Sequence, residues 1–352
     1  MTNRPRLATV VGARPQFVKA AAVSRAIARD GRIDEALIHT GQHYDANMSD
    51  IFFEELEIPA PRRHLGLGGG GHGAMTGAML AQLEAAFIED EPDAVLVYGD
   101  TNSTLAGALA AAKLHIPVIH CESGLRSFNR RMPEEINRVV TDHLSAVLLC
   151  PTRSAIDNLA REGITNGVRF VGDVMYDATL FAIERAKARP SMLPALGLGG
   201  RPYAVCTLHR AENTDDLERL RALLTFLEET ARTRAIVFPV HPRTRKIMAQ
   251  AGIQPRGVHL VDPLGYFDLH RLLADADLVL TDSGGLQKEA YFHRKPCVPL
   301  REETEWVETI DAGWNRLWTT PDWSSPRIDI TDYGAGDAAM HSVREIARVL
   351  GC

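Results

Sequence analysis

Three segments deliver carboxylates to places where chemistry can use them. The apolar run 95–98 is followed at once by Gly99-Asp100-Thr101-Asn102-Ser103, and the run 118–121 by Glu122-Ser123-Gly124-Leu125-Arg126. A third segment, Arg131-Met132-Pro133-Glu134-Glu135-Ile136-Asn137-Arg138, puts proline where a helix begins and two acids in its first turn. A single acid at a helix start can simply oppose the macrodipole, and Asp100 or Glu134 alone has that ordinary explanation. Three carboxylates gathered at one site are different, because like charges raise each other's pKa into the range of proton transfer. Asp100, Glu122 and Glu134 are therefore candidate acid–base residues.

Other segments read as anion-binding. The first apolar run ends in Gly12-Ala13-Arg14-Pro15-Gln16-Phe17-Val18-Lys19, a turn into a helix that carries the cations Arg14 and Lys19 close to its N-terminus. In Leu280-Thr281-Asp282-Ser283-Gly284-Gly285-Leu286-Gln287-Lys288-Glu289 a strand ends, a hydroxyl and two glycines permit close backbone approach, and a helix begins with free N–H groups. Ser283, Gly284 and Gly285 suit a diphosphate, and Glu289, one turn on, suits ribose hydroxyls. Leu208-His209-Arg210-Ala211-Glu212-Asn213 and His241-Pro242-Arg243-Thr244-Arg245 each follow a strand, so His209, His241 and Arg243 are expected at the same sheet edge. The turn after the first strand, Gly12-Ala13-Arg14-Pro15-Gln16-Phe17, is not G-x-G-x-x-G, and no Walker loop is present, so a nicotinamide cofactor is not expected. The 13 histidines lack H-x-H and H-E-x-x-H spacing and the five cysteines are dispersed, so no metal is expected.

The elements that must hold these residues alternate throughout. Short β-branched runs at 7–11, 35–39, 94–98, 118–121, 146–150 and 168–171 alternate with helical patterns, and a second series follows at 203–208, 235–238, 258–261, 278–281 and 297–300. This pattern predicts an α/β protein with parallel sheets, whose ligands bind beyond the carboxyl ends of the strands. The stretch 187–201, KARPSMLPALGLGGR, breaks the alternation with proline and glycine and predicts a boundary between domains 1–186 and 187–337. The glycine cluster at 66–73 reads as a mobile lid rather than a phosphate cradle. A net charge of −6 argues against nucleic-acid binding, and no apolar run approaches the roughly 20 residues of a membrane span. The N-terminus reads as a buried strand rather than a signal peptide, and the odd, scattered cysteines fit free thiols in a reducing cytoplasm.

Taken together, GARPQFVK, HTGQHYD, VYGDTNSTLAGALAA, HCESGLRS, MPEEINR, LHRAEN, HPRTRK and TDSGGLQKEA resemble the non-hydrolysing UDP-N-acetylglucosamine 2-epimerases. The resemblance implies a GT-B-like fold of two Rossmann-type domains with the active site in the cleft between them. It also implies a homodimer and a C-terminal helix, 338–350, that returns to the N-terminal domain. It implies a UDP-sugar substrate and catalysis by elimination and readdition of UDP, without a cofactor. Asp100, Glu122 and Glu134 match the family's catalytic carboxylates, and His209 its cleft histidine. Arg14 and Lys19 match its sugar and phosphate contacts, Ser283 to Gly285 its diphosphate loop, and Glu289 its ribose ligand. His241 and Arg243 fall near the nucleotide and the family's regulatory pocket. Two positions depart from the common pattern. Trp306 stands where many relatives have arginine in T-E-R-P-E, and Ala211 where they have a second arginine in H-R-R-E-N. Trp306 and the segment GDVMYD are similar to the branch acting on UDP-2,3-diacetamido-2,3-dideoxyglucuronic acid. A GT-B glycosyltransferase and a hydrolysing epimerase are the competing expectations.

Overall fold

The computed structural model describes residues 4–42, 53, 55–323 and 326–352. His43, Tyr44 and Asp45 of the HTGQHYD segment lie outside the described residues. The chain divides into two units, one comprising Met1–Ala178 and Thr331–Cys352, the other Thr179–Ile330.

The first unit is built on a parallel sheet of seven strands, β1 (Arg6–Val11), β2 (Asp34–His39), β3 (Arg63–His64), β4 (Ala94–Tyr98), β5 (Val118–Cys121), β6 (Val147–Cys150) and β7 (Val168–Phe170), in the order β3-β2-β1-β4-β5-β6-β7. The helices are α1 (Arg14–Asp30), α2 (His72–Asp90), α3 (Asn102–Lys113), α4 (Pro133–Leu144), α5 (Arg153–Arg161) and α6 (Val174–Ala186). A strand covered on both faces must be apolar throughout rather than alternately. The central β4, AVLVY, is buried at every position, whereas the edge strand β7, VRF, is not. Alanine-rich α3 lies close to the sheet because it is small-sided there: a side chain at Gly107 would meet Val97 Cγ1 at 3.2 Å. Residues 66–71 of the glycine cluster lie between the two-residue β3 and α2, with Gly71 as the helix N-cap, and Gly73 falls in the first turn of α2.

The second unit holds β8 (Tyr203–Thr207), β9 (Ala235–Pro239), β10 (Val258–Val261), β11 (Leu278–Thr281) and β12 (Cys297–Pro299), parallel and in the order β10-β9-β8-β11-β12. Its helices are α7 (Ala211–Thr214), α8 (Leu217–Ala231), α9 (Pro242–Gln250), α10 (Tyr266–Ala274), α11 (Gly284–Phe292) and α12 (Val307–Asp311). The period of two along the strands distributes its core. Ala204, Cys206, Ile236, Phe238 and Leu280 pack with Leu220, Leu223 and Leu227 of α8. Val205, Val237 and Val279 pack on the other face with Leu272, Leu273 and Ala290. The last helix, α13 (Ala338–Leu350), belongs to the first unit and packs against α1.

The division falls within α6, earlier than the expected boundary at 186/187. The reason lies in the stretch 187–201 itself. Leu193 and Leu198, on either side of the 3₁₀ turn Pro194–Leu196, are buried in the second unit's core, so this segment is packed structure and not a linker. Cys121, Cys150, Cys206 and Cys297 are buried free thiols and Cys352 is exposed. Among the described residues, no helix is long and apolar enough to cross a membrane.

One turn is fixed by glycine twice over. Gly124, after β5, has φ +80°, and a Cβ there would lie 2.4 Å from the carbonyl oxygen of Ala155. Gly124→Ala is expected to lower stability by roughly 2–5 kcal/mol through backbone strain and overpacking together, as read by chemical denaturation. A change below about 0.5 kcal/mol would mean that the turn relaxes freely.

Candidate active site

In each sheet the strand order reverses at one point, between β1 and β4 in the first and between β8 and β11 in the second. Loops that leave such a point diverge and open a crevice at the carboxyl edge. In the first unit the Gln16 side chain joins the two loops there. It accepts from the N–H groups of Gly12 and Ala13 at 2.8 and 3.1 Å and donates to the Tyr98 carbonyl and Thr104 Oγ1, both at 3.0 Å. Arg14 is half-buried at the start of α1. Lys19, one turn further, is buried and forms an ion pair with Glu122. Glu122 has φ +69°, a left-handed conformation that costs a non-glycine residue about 1–3 kcal/mol. Gly99 leaves the room for this pair: a Cβ there would lie 3.2 Å from Lys19 Nζ and 3.5 Å from Glu122 Oε1.

Asp100 is positioned from α4. Its carboxylate accepts from Arg138 Nη1 at 2.5 Å, and its carbonyl accepts from Asn137 Nδ2 at 2.8 Å. Arg138 is buried and donates to Glu135 at 2.8 and 3.1 Å, and Glu135 accepts from the backbone N–H groups of Ser127 and Phe128 at 2.9 and 3.0 Å. Burial alone would raise the Glu135 carboxyl, but the Ser127 N–H and Arg138 outweigh it and hold the group below the usual range. The Asp100 carboxyl is raised. Burial prevails over the opposing Arg138 and Lys19 charges, and the charges of Glu122 and Glu134 push it further up. Glu134 is half-buried in the first turn of α4, and its carboxylate makes no hydrogen bond or ion pair among the described residues. Three carboxylates that lie far apart in the sequence thus act on one another electrostatically, with Lys19 and Arg138 among them.

Beneath them lies a buried network. His120 Nε2 donates to the Gly99 carbonyl at 2.7 Å, and its Nδ1 is 2.7 Å from Asp142. Asp142 also pairs with Arg126 at 2.7 Å, and Arg126 forks onto Glu162 at 2.7 and 2.8 Å. Burial raises the Asp142 carboxyl, but His120 and Arg126 more than offset this and hold it low.

In the second unit the organising group is Asp282, which is fully buried at the end of β11. It accepts from the N–H groups of His209 and Arg210 at 2.9 and 2.8 Å and from Asn213 at 3.2 Å, and its second oxygen lies 3.0 Å from His209 Nδ1. Burial is again outweighed, by the His209 side chain and the backbone donors, and the carboxyl is lowered. His209 is thereby oriented from its Nδ1 side while its ring remains 44% exposed. His241 caps α9, its Nδ1 accepting from the Arg243 N–H at 3.3 Å, with its ring 6.3 Å from that of His209. Arg243 is ion-paired with Asp215. Ser283 caps α11, whose first residues are Gly284 and Gly285. Glu289 is buried and accepts from the Tyr266 hydroxyl at 3.1 Å, with His270 Nε2 at 3.7 Å. His293, 2.8 Å from His270, is pushed down to about 3 by burial.

Arg138, His120, Asp142 and Asp282 were not among the residues that the sequence singled out as candidates. Asp282 stands next to the serine of the glycine loop and reads there as a turn residue. Its partners come from the β8 loop, some 70 positions earlier, and only folding brings them together.

A sequence model of the UDP-N-acetylglucosamine 2-epimerase family matches residues 25–325. The chain belongs to that family. As a member of the UDP-N-acetylglucosamine 2-epimerase family it is an isomerase with an α/β, GT-B-like fold. The UDP-2,3-diacetamido-2,3-dideoxy-D-glucuronate 2-epimerase of Pseudomonas aeruginosa is 52% identical over 317 residues, covering 89% of this chain and 88% of that one. The UDP-N-acetylglucosamine 2-epimerase of Methanocaldococcus jannaschii is 43% identical over 322 residues, with 89% and 88% covered. A crystal structure of a Methanocaldococcus jannaschii UDP-GlcNAc 2-epimerase, in complex with UDP-GlcNAc and UDP, superposes with a TM-score of 0.89 at 40% identity, covering 97% of this chain and 99% of that one.

Proposed function

We propose that this epimerase inverts carbon 2 of a UDP-linked 2-acetamido sugar without hydrolysing it, interconverting UDP-GlcNAc and UDP-ManNAc. The observation that carries the reading is the grouping of Asp100, Glu122 and Glu134 around Lys19 and Arg138 in a chain of this family. The C2 proton of such a sugar is not α to a carbonyl, so direct abstraction near neutral pH meets a prohibitive barrier. Elimination avoids it. The C1–O bond breaks with its electron pair going to UDP, the resulting oxocarbenium character acidifies C2, and a carboxylate takes the proton to leave a 2-acetamidoglucal. Readdition of UDP at C1, with protonation of C2 from the opposite face, completes the inversion.

In this mechanism Asp100 and Glu134 carry the protons and Glu122 supports the cationic character. His209 joins these carboxylates as a catalytic residue, Arg14, Lys19, His241 and Arg243 serve substrate binding, Ser283 to Gly285 hold the diphosphate, and Glu289 binds the ribose. A specific observation favours a second sugar: the 52% identity to the Pseudomonas aeruginosa enzyme, together with Trp306 and the GDVMYD segment at 172–177, supports UDP-2,3-diacetamido-2,3-dideoxyglucuronate as the substrate of the same reaction. The enzyme is also proposed to act as a cytoplasmic homodimer. Exposed Ile136 and Val140, one turn apart on α4, support self-association, which light scattering would read directly.

The deciding experiment incubates each UDP-sugar with the enzyme in D2O and follows the H2 signal by NMR. Solvent deuterium at C2 with the UDP linkage intact is expected, faster with the true substrate. Release of free 2-acetamido sugar would instead indicate a hydrolysing enzyme, and no exchange with either sugar would reject the reading.

A further inference from the structure

The indole of Trp306 is only 3% exposed, and its Nε1–H has no acceptor among the described residues. A buried tryptophan N–H ordinarily finds a partner, and leaving one unmade costs about 1–3 kcal/mol. This one lies at a particular place. Nε1 is 3.7 Å from where a Cβ on Gly284 would stand, beside the first residue of α11. The opening N–H groups of a nine-residue helix also lack intrahelical acceptors, so two kinds of donor meet at one spot.

Lys288, one turn along the same helix and 1% exposed, stands with Nζ 3.6 Å from the centroid of the indole. An ammonium over the ring face draws electron density from the π-system and makes the N–H a stronger donor. Glu305 is the group that argues against an anion here, since its Oε1 is 2.5 Å from the same Gly284 position. Its carboxylate is held by the buried Arg301 at 2.8 Å, however, so that pair brings little net negative charge to the loop.

We propose that Trp306 donates its Nε1–H to the diphosphate of the UDP-sugar, with Lys288 supplying positive charge behind the ring, and that the pair stabilises UDP as it leaves C1. The assignment rests on the reaction proposed above. Trp306 is on this account a binding residue for the leaving group, and its side chain contributes hydrogen bonding as well as packing.

The test uses the full-length enzyme and three ligands, UDP, uridine and inorganic pyrophosphate. Trp306→Phe should weaken UDP and pyrophosphate by ~10-fold or more, the worth of a charge-assisted hydrogen bond, and leave uridine unchanged. Trp306→His, which restores a ring N–H, should recover part of the loss. In protein labelled with ¹⁵N-tryptophan the four tryptophans give four indole signals, and the one missing from Trp306→Phe should move downfield with UDP and not with uridine. Equal UDP affinity in wild type and Trp306→Phe would overturn the assignment, as would an indole signal that UDP leaves in place. Parallel loss of uridine and UDP would mean a packing role only. If wild-type enzyme failed to bind UDP at all, the reaction itself would be rejected along with it.

Discussion

Asp100→Asn should reduce incorporation of solvent deuterium at C2 by about 10³-fold, within the 10²–10⁴ that positioned proton transfer contributes. The amide keeps the volume and can still accept from Arg138 through its oxygen, so the fold should persist. It cannot take or give the proton. UDP binding, proposed to be held by the other unit's glycine loop, should remain within about twofold, which calorimetry on the same sample would read. Turnover retained above about a tenth of wild type would remove Asp100 from the proton path. The burial and like charges that raise its carboxyl give the position its chemical significance, since an ordinary surface aspartate is ionised throughout the working range and is a weak base.

Asp142→Ala should cost about 3–5 kcal/mol, the penalty for stranding buried charge when one partner of an ion pair is removed. His120 and Arg126 would lose the carboxylate that they share, and the Gly124 N–H would lose its 3.1 Å acceptor. Differential scanning calorimetry should show the transition of the first unit falling by roughly 10 °C. The pH dependence has a definite sign. A carboxyl with a depressed native pKa contributes stability that is complete above its unfolded value, ~3.9, and is lost as pH falls through the native one. The gap between wild type and variant should therefore be full at neutral pH and close in strong acid. A gap that widened on acidification would contradict the ionised, salt-bridged Asp142.

Much of this was legible in the sequence. The eleven strand runs are all present, each within a residue at either end, because a strand covered on both faces must be a continuous apolar run with few other readings. Ser283, with its glycines, and Glu134 could be placed from local pattern alone, since helix capping and first-turn acids are governed by nearest neighbours. The two-residue β3 was not legible, being too short for any periodicity. Nor was the packed character of 187–201, where proline and glycine mask two leucines that the core of the second unit buries.

The site divides along the same line. Sequence determined which residue types follow which strands, and so which carboxylates and histidines reach a sheet edge. Tertiary structure alone decided their states. Lys19 is ion-paired with Glu122, Asp100 is held by an arginine 38 positions away, and His209 is fixed by an aspartate 73 positions away. A pKa, an orientation and an ion pair depend on distances across loops of parallel strands, and no local pattern encodes those distances until the strands lie in order.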